Sequence, residues 1–257
     1  MNIPQSFLEL LKIDVDRYPV IAVVGGGGKT SLIFRLTREL REKGKTVIVS
    51  TTTRMDYEPL RPFAPDGNTE KVRKDLKEHG YTIAAHKNED SKISGLTEEK
   101  LMELKEICDV MLIEADGAKH LPIKVPAEWE PVIPQFADLV ISVVGLDSLG
   151  KPIRKTAHRM ERTADFLRKS MDAPITSEDI VKIASSICGL LKNVEDRVYR
   201  VYLNKADVLE EQETAEEILE ELEQRQIIAS FGSIEFPGTI QDDVHAPGNF
   251  ITEEADA

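Results

Sequence analysis

The stretch VIAVVGGGGKTS, residues 20–31, decides the fold of this chain. It begins with the apolar run Val20–Val24, which is typical of a strand buried on both faces of a parallel sheet. Four glycines follow, and after them leucine and isoleucine recur at helical spacing until Gly44. The order of strand, glycine-rich loop and helix is the context that a phosphate-binding loop requires. We therefore predict a βα unit that binds phosphate.

The loop Gly25–Thr30 carries the chemistry of that prediction. Glycines let backbone N–H groups turn toward an anion, and the helix N-terminus adds partial positive charge. Lys29 is placed to reach the β- and γ-phosphates, the Thr30 hydroxyl is a ligand for Mg²⁺, and Ser31 continues the loop. The spacing GxxxxGK[ST] needs glycine where this chain has Val23, so the shorter GxxGKT of some ATP-dependent ligases is what fits.

Two other interpretations of the loop exist. One is a glycine-rich turn followed by an incidental Lys-Thr pair. The other is a dinucleotide site, which fits less well because GxGxxG starting at Gly25 would need glycine at Thr30.

Short apolar strands alternate with helical patterns along the rest of the chain. The further strands are predicted at Val47–Val49, Thr82–Ala85, Val110–Ile113, Leu139–Val144, Val198–Leu203 and Ile227–Phe231. The other helices are predicted at Ser6–Leu11, Glu70–Glu78, Glu98–Ile107, Arg162–Ser170, Ser177–Leu191 and Thr214–Arg225. This alternation predicts an α/β fold, a P-loop NTPase-like, doubly wound, mainly parallel sheet with helices on both faces.

The domain prediction is a single nucleotide-binding domain over residues 1–257, with irregular insertions at about 56–97 and 117–135. Within the second insertion, the segment from Pro122 to Pro134 contains four prolines and is predicted to be irregular and on the surface.

A second chemical signal stands at the end of the strand Val110–Ile113, where Glu114 and Asp116 precede Gly117. A buried strand that ends in carboxylates is the Walker B arrangement, in which an acid holds Mg²⁺ or orients the attacking water. Strand alternation sends both carboxylates to one side. With Lys29 they are the predicted catalytic residues, and Asp116 joins Thr30 as a metal ligand. An ordinary strand end with solvated acids is the alternative.

The third signal is the pattern NKxD at Asn204, Lys205 and Asp207, directly after a predicted strand. Such an aspartate accepts two hydrogen bonds from guanine, and adenine offers no matching pair of donors. Phe231–Ser233 would then lie behind the base. The alternative is an Asn-Lys turn leading into a helix that Asp207 caps.

Two further segments are candidates for ligand contacts. Thr51–Thr53 end the second strand, and the Thr52 hydroxyl is a candidate metal ligand there, although a plain polar turn fits equally. The chain after Gly117 passes close to the γ-phosphate and carries Lys119 and Lys124, which are candidates for binding an anionic second substrate. Solvated lysines on a surface crossover are the alternative.

The composition excludes several classes of function. The formal net charge is −13, so the chain offers no basic field to nucleic acid or to an anionic membrane. Apolar residues make up 41%, which supports a core, and no run approaches the ~18 residues that cross a bilayer. The N-terminus has no signal-peptide pattern, and Cys108 and Cys188 are predicted to be buried, reduced thiols, so a cytoplasmic location is expected.

Two composition features have simple interpretations. The glutamates between Glu210 and Glu223 form the solvated face of an amphipathic helix. The five histidines show no metal-ligand spacing, which disfavours a dedicated transition-metal site.

Several stretches together resemble the YqeC family: VVGGGGKTSL, STTTRM, LIEADGAKHLPIKVPAEWEPVIP, AHRMER, CGLLKNV and LNKAD. The resemblance runs from about Val20 to Asp207. It adds His158 and Arg159, from AHRMER, to the candidate substrate residues. Two departures are Met160, where the family usually has proline, and Lys119, where it often has arginine.

The resemblance implies an accessory role in the maturation of selenium-dependent molybdenum hydroxylases or of their cofactor. The sequence thus predicts a P-loop protein that binds GTP or ATP with Mg²⁺ and hydrolyses it. Its expected partner is such a hydroxylase or a cofactor precursor. A small-molecule kinase or ATP-dependent ligase, and a nucleotide sensor without turnover, are the alternatives.

Overall fold

A computed structural model describes residues 6–56, 61–88 and 92–234 of the chain. Within these ranges ten strands form one sheet. They are β1 (Val20–Gly25), β2 (Val47–Thr51), β3 (Arg54–Asp56), β4 (Phe63–Pro65), β5 (Tyr81–Lys87), β6 (Lys92–Ser94), β7 (Val110–Glu114), β9 (Leu139–Gly145), β11 (Val198–Asn204) and β12 (Ile228–Phe231). A separate two-stranded sheet pairs β8 (Ile123–Lys124) with β10 (Ala157–His158).

The order of strands in the large sheet is β12-β11-β9-β1-β7-β2-β5-β6-β3, and β4 pairs with β5. Every pairing among β12, β11, β9, β1, β7, β2 and β5 is parallel, whereas β6 is antiparallel to both β5 and β3. The mainly parallel α/β class is therefore confirmed. Because β1 lies between β7 and β9, the glycine-rich loop emerges beside the carboxylates that follow β7.

Helices cover both faces of the sheet. The helices are α1 (Phe7–Leu10), α2 (Lys29–Glu42), α3 (Thr69–His79), α4 (Glu98–Lys105), α5 (Ile153–Thr156), α6 (Met160–Leu167), α7 (Ser177–Ser185) and α8 (Glu213–Gln224). On one face, α1 and α2 pack against Ile21 and Val23 of β1. On the other face, α3 and α4 pack against Val20, Ala22 and Val24 of the same strand. This alternation along β1 is the physical basis of the predicted doubly wound arrangement.

The predicted helix from Ser177 to Leu191 is too long. The helix ends at Ser185 because Ser186 has extended backbone angles. The chain then folds back so that the Leu190 amide donates to the Ile183 carbonyl at 2.7 Å. Helical spacing of apolar residues did not reveal this turn.

The insertion predicted at about 56–97 has the predicted helix and strand, as α3 and β5, and two further short strands that were not predicted. It contains β4, α3, β5 and β6, and β5 extends the parallel sheet beside β2. The residues 57–60 and 89–91 lie outside the described part of the chain.

The segment Pro122–Pro134 was predicted to be irregular and on the surface, and this is wrong for its first half. Ile123, Val125 and Ala127 are buried, and Ile123 lies on β8. Small apolar residues at alternate positions between the prolines pack into the core formed with Val144 and Leu203. The prolines on either side of β8 thus led to the wrong prediction of an irregular surface segment where a buried strand lies.

The two thiols differ from each other. Cys108 is partly buried, and burial raises its pKa to about 12 because a thiolate is poorly solvated there. Cys188 is exposed, so the prediction of two buried thiols is wrong for it. It lies in the turn that follows the early end of α7. None of the described helices has the length and apolar character needed to cross a membrane.

Candidate functional site

The first three amides of the glycine-rich loop form hydrogen bonds to neighbouring segments. The Gly25 N–H donates to both carboxylate oxygens of Asp116, at 3.2 and 3.1 Å. The Gly26 N–H donates to the Val143 carbonyl at 2.9 Å, and the Gly27 N–H to the Leu121 carbonyl at 3.0 Å. These three amides hold the loop in place and so are not among the N–H groups that were expected to turn toward an anion.

The amides that remain for an anion are those at the N-terminus of α2. In the described part of the chain, the N–H groups of residues 28–31 donate to no protein acceptor, and the first helical bond is from the Leu32 amide to the Gly28 carbonyl at 3.0 Å. Gly28 is the N-cap and offers no side chain to satisfy them. Amides without an acceptor and the helix dipole are the features with which a helix N-terminus can accept a negative group.

Close packing explains why the loop needs glycine at positions 27 and 28. Gly27 has φ +73°, and a Cβ there would lie 2.3 Å from the Gly145 nitrogen. Gly28 has φ +121°, and a Cβ would lie 2.5 Å from the Asn204 Nδ2. Any L side chain would be both strained and in collision, so the glycines set how closely β9 and Asn204 approach the loop.

Lys29 and Thr30 contact the two carboxylates at the end of β7, Glu114 on its last residue and Asp116 two residues beyond. Lys29 Nζ donates to the Gly25 carbonyl at 2.8 Å and lies 3.2 Å from Asp116 Oδ1 and 3.9 Å from Glu114 Oε1. The Thr30 hydroxyl donates to Glu114 Oε2 at 2.7 Å. Four of the residues singled out in the sequence therefore form one connected cluster, in which Lys29 contacts both carboxylates and Thr30 contacts Glu114. All four side chains are placed by strand ends or by the first turn of α2.

The two carboxylates have different surroundings. Asp116 is fully buried and is engaged by the Gly25 amide, by Lys29 and by Lys124 Nζ at 3.2 Å from Oδ2. Glu114 instead faces the Thr30 hydroxyl. The pair of Thr30 and Glu114 offers the hard oxygen donors that Mg²⁺ prefers. The metal roles predicted for Thr30 and Asp116 stay predictions, and the contact with Thr30 makes Glu114 a further candidate ligand.

The threonines at the end of β2 are directed toward backbone groups. Thr51 Oγ1 donates to the Glu114 carbonyl at 2.9 Å, and Thr52 Oγ1 donates to the Val132 carbonyl at 2.8 Å. Thr52 thus lies beside the end of β7, and its hydroxyl binds the segment that follows that strand. Its role as a metal ligand stays a prediction.

Lys124 lies in the interior, where no lysine was expected. It is fully buried, and its Nζ contacts Asp116 Oδ2 at 3.2 Å, the Gly117 carbonyl at 2.7 Å and Glu130 Oε2 at 3.0 Å. All of its charge is therefore compensated inside the protein. Lys124 connects Asp116 to Glu130. Its side chain has no exposed surface through which it could contact a substrate.

Glu130 extends this chain of charges to the surface. Both of its oxygens accept from Arg159, at 3.1 Å each, and Oε2 also accepts from the Ala127 amide at 3.2 Å. The Arg159 guanidinium lies 5.2 Å from the centre of the Trp129 ring, which is 68% exposed. Sequence reasoning missed Glu130, although it lies inside the segment that carries the family resemblance.

Burial would raise the pKa of Glu130, but the bond from Arg159 and the charge of Lys124 outweigh it, so the pKa falls to about 2 from 4.5. A lowered pKa in the folded state means that this group stabilises the protein above about pH 4.5 and loses that effect as the pH falls toward 2.

We therefore expect Glu130→Gln to reduce the dependence of stability on pH between pH 5 and 2.5, measured by urea unfolding. The exposed Glu128→Gln is the matched control and should keep the dependence. An unchanged pH profile in Glu130→Gln would contradict the assignment.

The NKxD residues lie against the glycine-rich loop. Asn204 Nδ2 donates to the Gly27 carbonyl at 2.7 Å, and its Oδ1 accepts from the Ile234 amide at 3.2 Å. Lys205 Nζ lies 2.7 Å from Asp147 Oδ2. Asp207 is exposed and bonds to Ser233, so the predicted base-backing segment does meet the aspartate. Asp147 was not predicted, because nothing in the sequence around it marks a partner for Lys205.

The fold and the site together define a mainly parallel α/β protein whose glycine-rich loop faces a lysine, a threonine and two carboxylates. The family model for the YqeC protein matches residues 21–161. The protein described as "Uncharacterized protein YqeC" of Escherichia coli (strain K12) is 34% identical over 221 residues, which cover 83% of this chain and 86% of that one. The chain belongs to the YqeC family. No solved structure matches it.

Proposed function

We propose that this protein binds a nucleoside triphosphate with Mg²⁺ at the N-terminus of α2 and hydrolyses it. The observation that carries the proposal is the cluster at this helix end. Four amides without a protein acceptor lie beside the Lys29 ammonium and the pair of Thr30 and Glu114. A triphosphate is an anion that uses all of these groups at once.

Each residue has a separate task in this proposal. Lys29 exchanges the Gly25 carbonyl and Asp116 for the β- and γ-phosphates. Asp116 keeps its hold on the Gly25 amide, and Lys124 continues to compensate its charge. Thr30 and Glu114 would hold Mg²⁺, which neutralises charge on the phosphate oxygens when it is bound. In this proposal Glu114, at the end of β7, would also orient the attacking water molecule.

A direct test is calorimetric titration with Mg²⁺ and either GTP or ATP in a slowly hydrolysed form, followed by phosphate-release measurements. Binding with release supports the hydrolase. Release that appears only with an added acceptor would favour a small-molecule kinase or ligase, and binding without release would favour a sensor. Absence of binding to either nucleotide would refute the proposal.

The preferred base in this proposal is guanine. Asn204 ties the NKxD segment to the Gly27 carbonyl, so a nucleotide on the loop would present its base toward Asp207. The exposed Asp207 carboxylate accepts from the Ser233 hydroxyl and keeps acceptor capacity for the guanine N1–H and amino group.

We expect Asp207→Asn to weaken GTP binding by about 1.5–3 kcal/mol while leaving ATP binding nearly unchanged, because a charged bidentate acceptor is lost. Competition between the two nucleotides measures this. Asp165→Asn, on α6, is a control that removes the same charge away from the NKxD segment. Equal or stronger ATP binding by the unmodified protein would reject the guanine assignment.

The process served by this activity is proposed to be maturation of a selenium-dependent molybdenum hydroxylase, with that enzyme or a cofactor precursor as partner. Membership of the YqeC family supports this role through the resemblance set out above. The test is complementation: cells lacking the protein should recover hydroxylase activity with the unmodified chain but not with Lys29→Ala. Full activity in cells without the protein would contradict the role.

A further inference from the structure

A cluster of cationic side chains is connected to the glycine-rich loop through Asp116 and Lys124. His158 on β10 is the register partner of Lys124 on β8 in a parallel pair, which places the two residues side by side. Lys124 Nζ is 3.2 Å from Asp116, whose other oxygen is 3.2 Å from Lys29. The ring of His158 is therefore separated from the phosphate-loop lysine by two side chains.

The charge around His158 is positive, although the chain as a whole is acidic. Lys124, Arg159 and Lys119 act on the imidazole as cations, and Glu130 is the carboxylate that opposes them. Burial and these cations lower the pKa of His158, so the ring is neutral near pH 7 and offers one N–H and one acceptor. With Asp116 counted, which lies 3.2 Å from Lys124, three cations face two carboxylates here, and the excess of one positive charge can attract a small anion.

Three polar groups in this cluster have no protein partner among the described residues. His158 Nδ1 is buried without a hydrogen bond. Lys119 is exposed and forms no ion pair, and Arg159 uses Nε and one terminal nitrogen on Glu130 and leaves the other terminal nitrogen, Nη1, without an acceptor. The His158 atom is the buried one of the three, and a buried polar atom without a partner is unfavourable unless a ligand or water satisfies it.

The backbone holds two of these residues in an uncommon conformation. Lys119 has φ +49° and Arg159 has φ +62°, and neither is a glycine. Left-handed backbone at non-glycine residues persists where the surroundings impose it, and it is frequent at ligand sites. Lys119 lies in the segment that leads into β8, the strand paired with β10, and Arg159 directly follows His158 in the chain.

We propose that Lys119, His158 and Arg159 form a subsite for a small anionic second substrate, one that carries a phosphate or carboxylate group. The subsite lies beside the proposed triphosphate site. The inference that its ligand is a substrate rests on the proposed function. Lys124 and Glu130 position the subsite, because Glu130 binds Arg159 and Lys124, and they do not contact the ligand. Neutral His158 supplies a hydrogen bond, and the two cations supply charge.

Inorganic phosphate is the probe for this subsite. The full chain is first saturated with Mg²⁺ and guanylyl imidodiphosphate, which occupies the phosphate loop, and phosphate is then titrated by calorimetry. We expect one phosphate to bind per chain. We expect Lys119→Ala and His158→Gln each to weaken it about tenfold, with guanylyl imidodiphosphate affinity unchanged. Neither change removes a protein hydrogen bond of the described structure, so both variants should fold.

Lys43→Ala is the matched control, because it removes the same charge at the far end of α2, about 20 Å from Lys29 at 1.5 Å per residue. It should bind phosphate like the unmodified chain. If the nucleotide does not bind, the proposed function fails, and the same titration on the nucleotide-free chain still tests the subsite. Phosphate binding that is absent from the unmodified chain, or equal in all variants, overturns the subsite.

Discussion

Lys124→Met is expected to lower the free energy of unfolding by about 3 kcal/mol, the low end of the cost of breaking a buried ion pair. The change removes the cation shared by Asp116 and Glu130, both of which are buried. Each carboxylate keeps one other cation, Lys29 and Arg159 respectively, so the effect should not exceed this value greatly. Urea unfolding followed by circular dichroism measures it.

Two variants separate charge from packing in this experiment. Lys124→Met combined with Glu130→Gln removes a cation and an anion together, and it should recover part of the lost stability. Lys119→Ala is the surface control and should stay within about 0.5 kcal/mol of the unmodified chain. A Lys124→Met protein as stable as the unmodified chain would show that the buried charges are not coupled as the geometry indicates.

Lys29→Ala is expected to weaken triphosphate binding at least tenfold, about 1.4 kcal/mol. Lys29 contacts both carboxylates and lies in the first turn of α2, so its loss removes a cation from the place where the phosphates would bind. Because Lys124 continues to compensate Asp116, the fold should persist. Calorimetry with Mg²⁺ and the triphosphate measures the change, and circular dichroism verifies the fold.

Lys43→Ala on the same helix is the control for the loss of one positive charge, and its triphosphate affinity should be unchanged. A folded Lys29→Ala protein that binds triphosphate with unchanged affinity would rule out the loop as the phosphate site.

Local patterns were sufficient to predict the strands and helices that carry the site. The apolar runs at β1, β2, β7, β9 and β11 and the helical spacing of α2 and α8 all appear in the structure, because strand burial and helix amphipathicity leave periodic signals in the chain. The end of α7 and the strand β8 were missed. A turn stabilised by contacts distant in sequence, and a strand between prolines, leave no such signal.

The sequence by itself determined the parallel α/β class, the glycine-rich loop ahead of α2, and the carboxylates at the end of β7, because each depends on residues adjacent in the chain. Only the tertiary structure decided what each charged side chain does. It placed Asp116 on the Gly25 amide, Lys124 in the interior between two acids, and Asn204 on the Gly27 carbonyl. Charges attract partners through space, and the strand order sets which residues become neighbours. Such partners are far apart in sequence, and no local pattern specifies them.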